Sequence, residues 1–371
     1  MKVIDSDAHV VETERTWDFI PQSDQHLRPI VVYQPDATGV SKPYWLIDGK
    51  VRGTVRQPVG KREEWAPDRI SPDMAAVSRA SGRKVDTPDA SKHMENVGAR
   101  LKHMDELGID YQMLYPTIFL RKLTELPETR VALARGYNRW LADIWSQSEG
   151  RLKWACVLPL NDMSEAISEL QWAVGNGACG VFMRGIEEEG TIADPYFFPI
   201  YEAMSKLDVA VTVHIGNGNP EIETLMNHGD GGSPFSSMRL ASVAACHQWI
   251  LAGVPEQFPK LRIGFVEAAA QWIPYLINDL VRRYPGRRGR TPVPEELLSE
   301  NRVWVTCQTD DDIAYLARFA GEDNLMIGTD YGHTDQSSEI EALRIFQEDG
   351  QVPPEVVRKI LDDNPSAFYG F

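Results

Sequence analysis

The 371-residue chain carries 38 basic against 54 acidic side chains, a formal charge of −16, with 43% hydrophobic residues. That balance argues against a nucleic acid or an anionic membrane surface as partner, because both are held by Lys and Arg neutralising phosphates. The length allows a large buried core, as one big barrel or as two ordinary domains.

Residues 3–12, VIDSDAHVVE, read as a strand on which Asp5, Asp7 and His9 share one side while Ile4, Ala8 and Val10 take the other. Facing water, the polar side belongs to an ordinary surface strand. Facing inward, two carboxylates and an imidazole need a cation or donors to offset their desolvation. A loop-rich section reaches to about residue 90 and contains YWLIDGKVRGTV, which predicts a hairpin around Asp48-Gly49. It reads as an insertion or cap at about 20–90. HMENVGARLKHMDELG then predicts a helix ending at Gly108, followed by the apolar strand IDYQMLYPT.

Helix followed by strand recurs from there, with LKWACVLPL (152–160), ACGVFMRG (178–185), VAVTVHIG (209–216), LRIGFVEAA (261–269), RVWVTCQT (302–309) and NLMIGTD (324–330) as the strands. Nearly continuous apolar strands imply burial on both faces, as in a parallel sheet covered by helices. Eight such strands fit a (β/α)₈ TIM barrel better than an open doubly wound sheet, and no glycine-rich dinucleotide fingerprint follows any of them. The chain closes on the helix PPEVVRKILDDNPSAFYGF. One domain, residues 1–371 with its excursion, is expected. The four cysteines, Cys156, Cys179, Cys246 and Cys307, lie far apart and mostly in apolar runs, as reduced core residues do. Acidic residues stand where a signal peptide needs an apolar core, and no apolar run approaches a membrane span, so the protein is expected to be cytoplasmic.

In such barrels reactive groups sit at the C-terminal ends of strands. Strand one ends in Asp7 and His9, strand four in Arg184, strand five in His214, strand six in Glu267 and strand eight in Asp330, with Tyr331 and His333 just beyond. Two histidines and two carboxylates suit a divalent transition metal, with Zn²⁺ first and Mn²⁺ or Fe²⁺ behind it, as one or two ions. Such an ion lowers the pKa of bound water and polarises a carbonyl, and Asp330 is placed to carry the proton.

Together with DAHVVE, the stretches RLKHMDELGIDYQMLYPT, YNRWLADIWSQSEGRLKWACVLPL, HIG, IGTDYGH and ILDDNPSAFYGF make the chain resemble the amidohydrolase superfamily. The most similar branch is the one named for aminocarboxymuconate semialdehyde decarboxylase, which mixes decarboxylases with hydrolases. The resemblance implies a metal-dependent barrel in which Asp7 and His9 are the strand-one ligand pair, His214 the strand-five ligand and Asp330 the strand-eight carboxylate. Three departures stand out. Asp7 replaces the usual His or Glu, strand four offers Arg184 and no lysine, and Glu267 replaces the usual strand-six histidine, as a ligand, a base or a support for one. In the decarboxylating relatives that histidine is catalytic. Its absence ranks hydrolysis of an amide, ester, lactone or acyl thioester narrowly above non-oxidative decarboxylation of an aromatic or unsaturated acid. A degenerate barrel that only binds a ligand is the third reading.

Arg184 either pairs with Glu267 or Asp330 or anchors a substrate carboxylate or phosphate, and His333 either lines the same mouth as a substrate contact or makes a loop hydrogen bond. His247 reads as a core or helix-facing residue. His228, in the glycine-rich NHGDGGSP, belongs to a loop able to act as a lid. His26, His93 and His103 carry no context beyond surface or packing roles. The run VRRYPGRRGRTP should lie at the bottom of the barrel as a solvated face or an oligomer contact. Trp45, Trp65 and Trp272 are placed to wall the pocket for a small-molecule substrate, with ordinary packing as the default.

Overall fold

Eight short strands run parallel in one sheet, each hydrogen-bonded to the next in chain order: β1 (Ile4–Val10), β2 (Tyr111–Pro116), β3 (Leu152–Cys156), β4 (Ala178–Arg184), β5 (Ala210–His214), β6 (Ile263–Val266), β7 (Val303–Cys307) and β8 (Leu325–Ile327). The computed structural model describes residues 1–35, 41–56, 61–64, 72–188, 190–226 and 235–370. Helices alternate with the strands: α1 (Val97–Leu107), α2 (Pro127–Ser146), α3 (Met163–Gly175), α4 (Phe198–Leu207), α5 (Leu240–Ala252), α6 (Ile273–Arg288) and α7 (Ile313–Ala320). This is the TIM barrel that the strand count predicts.

Local chemistry sets the helix ends. The α1 helix starts four residues later than its apolar pattern suggests, because the Asn96 side chain accepts from the Ala99 N–H, and Gly108 ends it at φ 73°. Asp162 and Asp312 cap α3 and α7 in the same way. The strands stop short of their apolar runs where the backbone turns; past β6, Glu267 and Ala269 both take positive φ, at 62° and 57°.

All seven residues of β1 are buried, so its polar side faces inward. Asp5 pairs with Gln112 and Ala8 with Leu114, which leaves one extra residue in β1 between them. This bulge breaks the simple alternation, and Asp5 points away from Asp7 and His9 to accept from Thr329 and Gln112. Closure of the sheet falls to residues just past the three-residue β8: the Asp330 N–H donates to the Asp7 carbonyl at 2.8 Å, and the His9 N–H to the Tyr331 carbonyl at 2.7 Å. Gly328 permits this approach, since a Cβ there would lie 2.2 Å from that of Asp7.

Between β1 and α1 the chain builds its own antiparallel strands, Ile30–Pro35, Ser41–Ile47 and Lys50–Val51. The predicted hairpin turns at Asp48 and Gly49, with φ 52° and 72°, the left-handed pair a two-residue turn demands. Asp48 accepts hydrogen bonds from Thr124 and Thr129 near the start of α2, and Trp45 packs on Trp17. Trp65 and the loop holding His228 lie outside the described residues. The C-terminal segment is helical but interrupted by a wider turn at Lys359–Asp363, after which Phe368 seats against Gly264. No described helix is long and apolar enough to cross a membrane.

Candidate metal centre

Parallel strands present their C-terminal ends at one mouth, and there β1, β5, β6 and β8 bring Asp7, His9, His214, Glu267 and Asp330 together, all buried. His214 Nε2 lies 3.3 Å from Asp7 Oδ1 and 3.2 Å from Glu267 Oε2. His9 Nε2 lies 3.4 Å from Glu267 Oε2, 3.4 Å from Asp330 Oδ1 and 3.6 Å from Asp7 Oδ1. Both imidazoles are set by backbone: His9 Nδ1 is 3.1 Å from the Pro116 carbonyl and His214 Nδ1 is 3.2 Å from that of Ile215. A carbonyl only accepts, so each Nδ1 carries the proton and each neutral ring turns a lone pair on Nε2 towards the centre.

The charge balance also points to a cation. Burial pushes the carboxyl of Asp7 up to about 8 and that of Asp330 to about 7, and it raises Glu267 well above the ordinary range, with neighbouring carboxylates adding to the effect. The same burial lowers His214 to about 4 and His9 well below its usual value. His9 Nε2 and Glu267 Oε2 are buried and have no hydrogen-bond partner among the described residues. A metal ion satisfies His9 Nε2, a metal or a proton of its own satisfies Glu267 Oε2, and the mixed nitrogen and oxygen set suits a divalent transition ion. The donor set therefore fits the metal that the sequence implies.

Backbone strain supports the arrangement. Glu267 at φ 62° and Asp330 at φ 51° both occupy the left-handed region, which costs a non-glycine residue about 1–3 kcal/mol. Asp330 is also braced from outside: Ser338 Oγ donates to its Oδ2 at 2.6 Å, and His333 Nδ1 lies 2.8 Å from its Oδ1. The hydroxyl of Thr117 donates to the Val10 carbonyl and so accepts from His333 Nε2 at 2.9 Å. Burial opposes charge on His333, but Asp330 prevails and lifts it to about 9. His333 also stacks on His9 with ring centroids 3.8 Å apart.

Arg184 stands beside His214 in the β4–β5 ladder, yet its side chain turns to Glu187, at 3.0 Å for Nε and 2.5 Å for Nη2. It pairs with neither Glu267 nor Asp330. With Phe119, Lys122, Arg130 and Leu158 it lines a cavity of about 60 Å³. His247 faces α6, 2.8 Å from Asp279, which also binds Arg283 at 2.5 Å at the head of the arginine-rich run. His26 is exposed, and His103 bonds the Tyr331 hydroxyl. The four cysteines are free thiols.

Sequence reasoning passes over several supports. Glu12 accepts from the Thr117 and Ile118 N–H groups, and Tyr115, packed on His214, bonds the Tyr369 hydroxyl at 2.8 Å. Only Glu12, at the end of a polar strand, carries a signal for such a role; Thr117 and Tyr369 become meaningful through partners remote in the chain, and Ser338 through one eight residues away.

A family model described as amidohydrolase matches residues 4–371. The 2-amino-3-carboxymuconate-6-semialdehyde decarboxylase of Dictyostelium discoideum is 24% identical over 263 residues, which cover 67% of this chain and 71% of that protein. Among solved structures, an amidohydrolase from Mycobacterium avium subsp. paratuberculosis superposes with a TM-score of 0.73 at 20% identity, covering 100% of this chain and 98% of that one. A dihydroxybenzoic acid decarboxylase from Polaromonas sp. JS666, holding manganese and the inhibitor 2-nitroresorcinol, gives 0.64 at 16% identity with 100% and 97% covered. The family match runs through every strand that carries a donor of the buried cluster, and the chain belongs to the amidohydrolase superfamily of enzymes.

Proposed function

We propose that the protein is a metal-dependent decarboxylase of a small aromatic or unsaturated carboxylic acid. The observation that carries this is the pair of overlapping buried groups, Asp7, His9, His214 and Glu267, and His9, Glu267, Asp330 and His333, with His9 Nε2 and Glu267 Oε2 unpartnered. In this reading Asp7, His9, His214 and Asp330 hold a divalent transition metal, zinc or manganese, with Glu267 at its edge. The ion, when bound, supplies Lewis-acid charge that orients and polarises the oxygens of the substrate. Decarboxylation breaks the bond between the carboxylate and its carbon; carbon dioxide leaves, the electron pair stays on the carbon and a proton must reach it. Glu267 Oε2 is the buried group placed to bring that proton, and His333 with Ser338 keeps Asp330 in its orientation. Arg184, held by Glu187 beside His214, is proposed as a contact for the acid's far end.

The activities named for the Dictyostelium and Polaromonas relatives support this order over the hydrolysis that the sequence ranks first. Glu267 itself favours the second reading, hydrolysis of an acyl derivative, because a carboxylate there serves a water as well as a carbon. The contacts of Asp48 with α2 and of Trp45 with Trp17 support a single catalytic domain in which the excursion at about 20–90 caps the barrel. Headspace carbon dioxide from hydroxybenzoates and unsaturated acids, measured with Mn²⁺- and Zn²⁺-loaded protein, tests the proposal. Release of carbon dioxide that stops on chelation is the expected result; release of thiol or amine from acyl substrates with no carbon dioxide transfers the assignment to hydrolysis.

A further inference from the structure

The closing seam of the barrel holds a line of buried polar groups that lies outside the metal cluster. Arg100 of α1 is fully buried; its Nε donates to Gln112 Oε1 at 2.6 Å and its Nη1 to the His9 carbonyl at 3.2 Å, with the guanidinium 3.6 Å over the Tyr331 ring. Gln112 Nε2, on β2, donates to Asp5 Oδ2 at 2.9 Å. Asp5, on β1, accepts from Thr329 Oγ1 at 2.6 Å and from the Thr329 N–H at 2.9 Å, one residue before Asp330. The line thus runs from α1 through β2 and β1 to the chain leaving β8.

The seam needs such a device. The β8 strand is three residues long, and its end meets β1 through one isolated bridge, Ala8 to Tyr331, and the backbone bonds of Asp7 and His9. Those bonds set the spacing between the β1 donors, Asp7 and His9, and the β8 donor, Asp330. Burying a guanidinium and a carboxylate costs free energy unless each is held by good bonds, so a connected line of this kind locks one arrangement of the strands.

We propose that Arg100, Gln112, Asp5 and Thr329 are positioning residues that hold the β1 and β8 donors at the separation metal binding requires. This rests on the metal reading of the cluster. Removing groups that orient ligands typically costs 10–100-fold in metal affinity.

The test is Mn²⁺ binding to the full-length protein, followed by the electron paramagnetic resonance of bound and free ion. Asp5→Asn keeps the shape but turns an acceptor into a donor facing Gln112 Nε2, and Thr329→Val removes the hydroxyl that donates to Asp5 and accepts from the Tyr331 N–H while keeping the Thr329 N–H bond to Asp5. Each variant is expected to bind Mn²⁺ about 10–100-fold more weakly, with a broadened spectrum, at temperatures where circular dichroism shows it folded. Asp5→Asn combined with Gln112→Glu moves the carboxylate one link along the line and restores a donor–acceptor match from Arg100 to residue 5; it is expected to recover most of the lost affinity. If Thr329→Val and the double variant both bind as Asp5→Asn does, or if folded Thr329→Val binds with wild-type affinity and spectrum, the positioning role is refuted. Failure of the wild-type protein to bind Mn²⁺ or Zn²⁺ refutes the metal reading, and this role with it.

Discussion

Metal binding at this site should depend steeply on pH, and the buried carboxyls set how steeply. Divalent ions bind carboxylates and not carboxylic acids, so each carboxyl with a raised pKa must release its proton first. For Asp7, at about 8, proton competition weakens apparent affinity by about 50-fold between pH 8 and pH 6; for Asp330, at about 7, by about 10-fold. The product is about 500-fold. At a Mn²⁺ concentration 100 times the Kd at pH 8, the ion stabilises the fold by about 2.7 kcal/mol, which falls to about 0.1 kcal/mol at pH 6. With unfolding entropy of about 2.1 cal/mol/K per residue, a chain of 371 residues gains roughly 3.5 °C in Tm at pH 8 and almost nothing at pH 6. The metal-free protein should behave in the opposite sense. Carboxyls whose folded pKa is raised stabilise below their ordinary value near 4, and that contribution is lost as pH rises through 7 to 8. His214, lowered to about 4, contributes stability above its ordinary 6.5 that is lost as pH falls, so above pH 6.5 only the losses remain. Thermal unfolding with chelator and with fixed Mn²⁺, at pH 6, 7 and 8, measures both. A Mn²⁺-induced shift as large at pH 6 as at pH 8 refutes the assignment of these carboxyls to the metal.

Asp330→Asn keeps an oxygen able to accept from Ser338 but loses the charge; turnover of any substrate found should fall by at least about 10–100-fold, with an unchanged circular dichroism spectrum, and retained turnover removes Asp330 from the metal site. Gly328→Ala places a Cβ 2.2 Å from that of Asp7. It should destabilise by about 1–3 kcal/mol or more in urea unfolding and weaken Mn²⁺ binding. Tyr369→Phe removes the hydroxyl shared with Tyr115 and Ser6, for a loss of about 1 kcal/mol in the same measurement.

Much of the barrel is legible in the sequence because parallel strands covered on both faces must be apolar almost throughout, and eight such runs separated by helical stretches leave few alternatives. The ionisable residues ending those runs are conspicuous for the same reason: a lone His214 or Glu267 at the edge of an apolar strand has to be provided for. The side that Asp5 faces is not legible, because alternation assumes a regular strand and the bulge between Asp5 and Ala8 is invisible in the residue types. The carboxylate that pairs with Arg184 is not legible, because a tight turn after β4 brings Glu187 closer than any carboxylate of the mouth.

The chain alone therefore determines the architecture and the chemical kind of the site, since both follow from local periodicity and from which polar residues interrupt it. Tertiary structure decides who partners whom. Thr329 with Asp5, Thr117 with His333 and Tyr369 with Tyr115 are joined only when β8 closes on β1 and the C-terminal helix docks. Hydrogen bonds depend on distances and directions of a few tenths of an ångström, set by packing of the whole barrel and not by spacing along the chain.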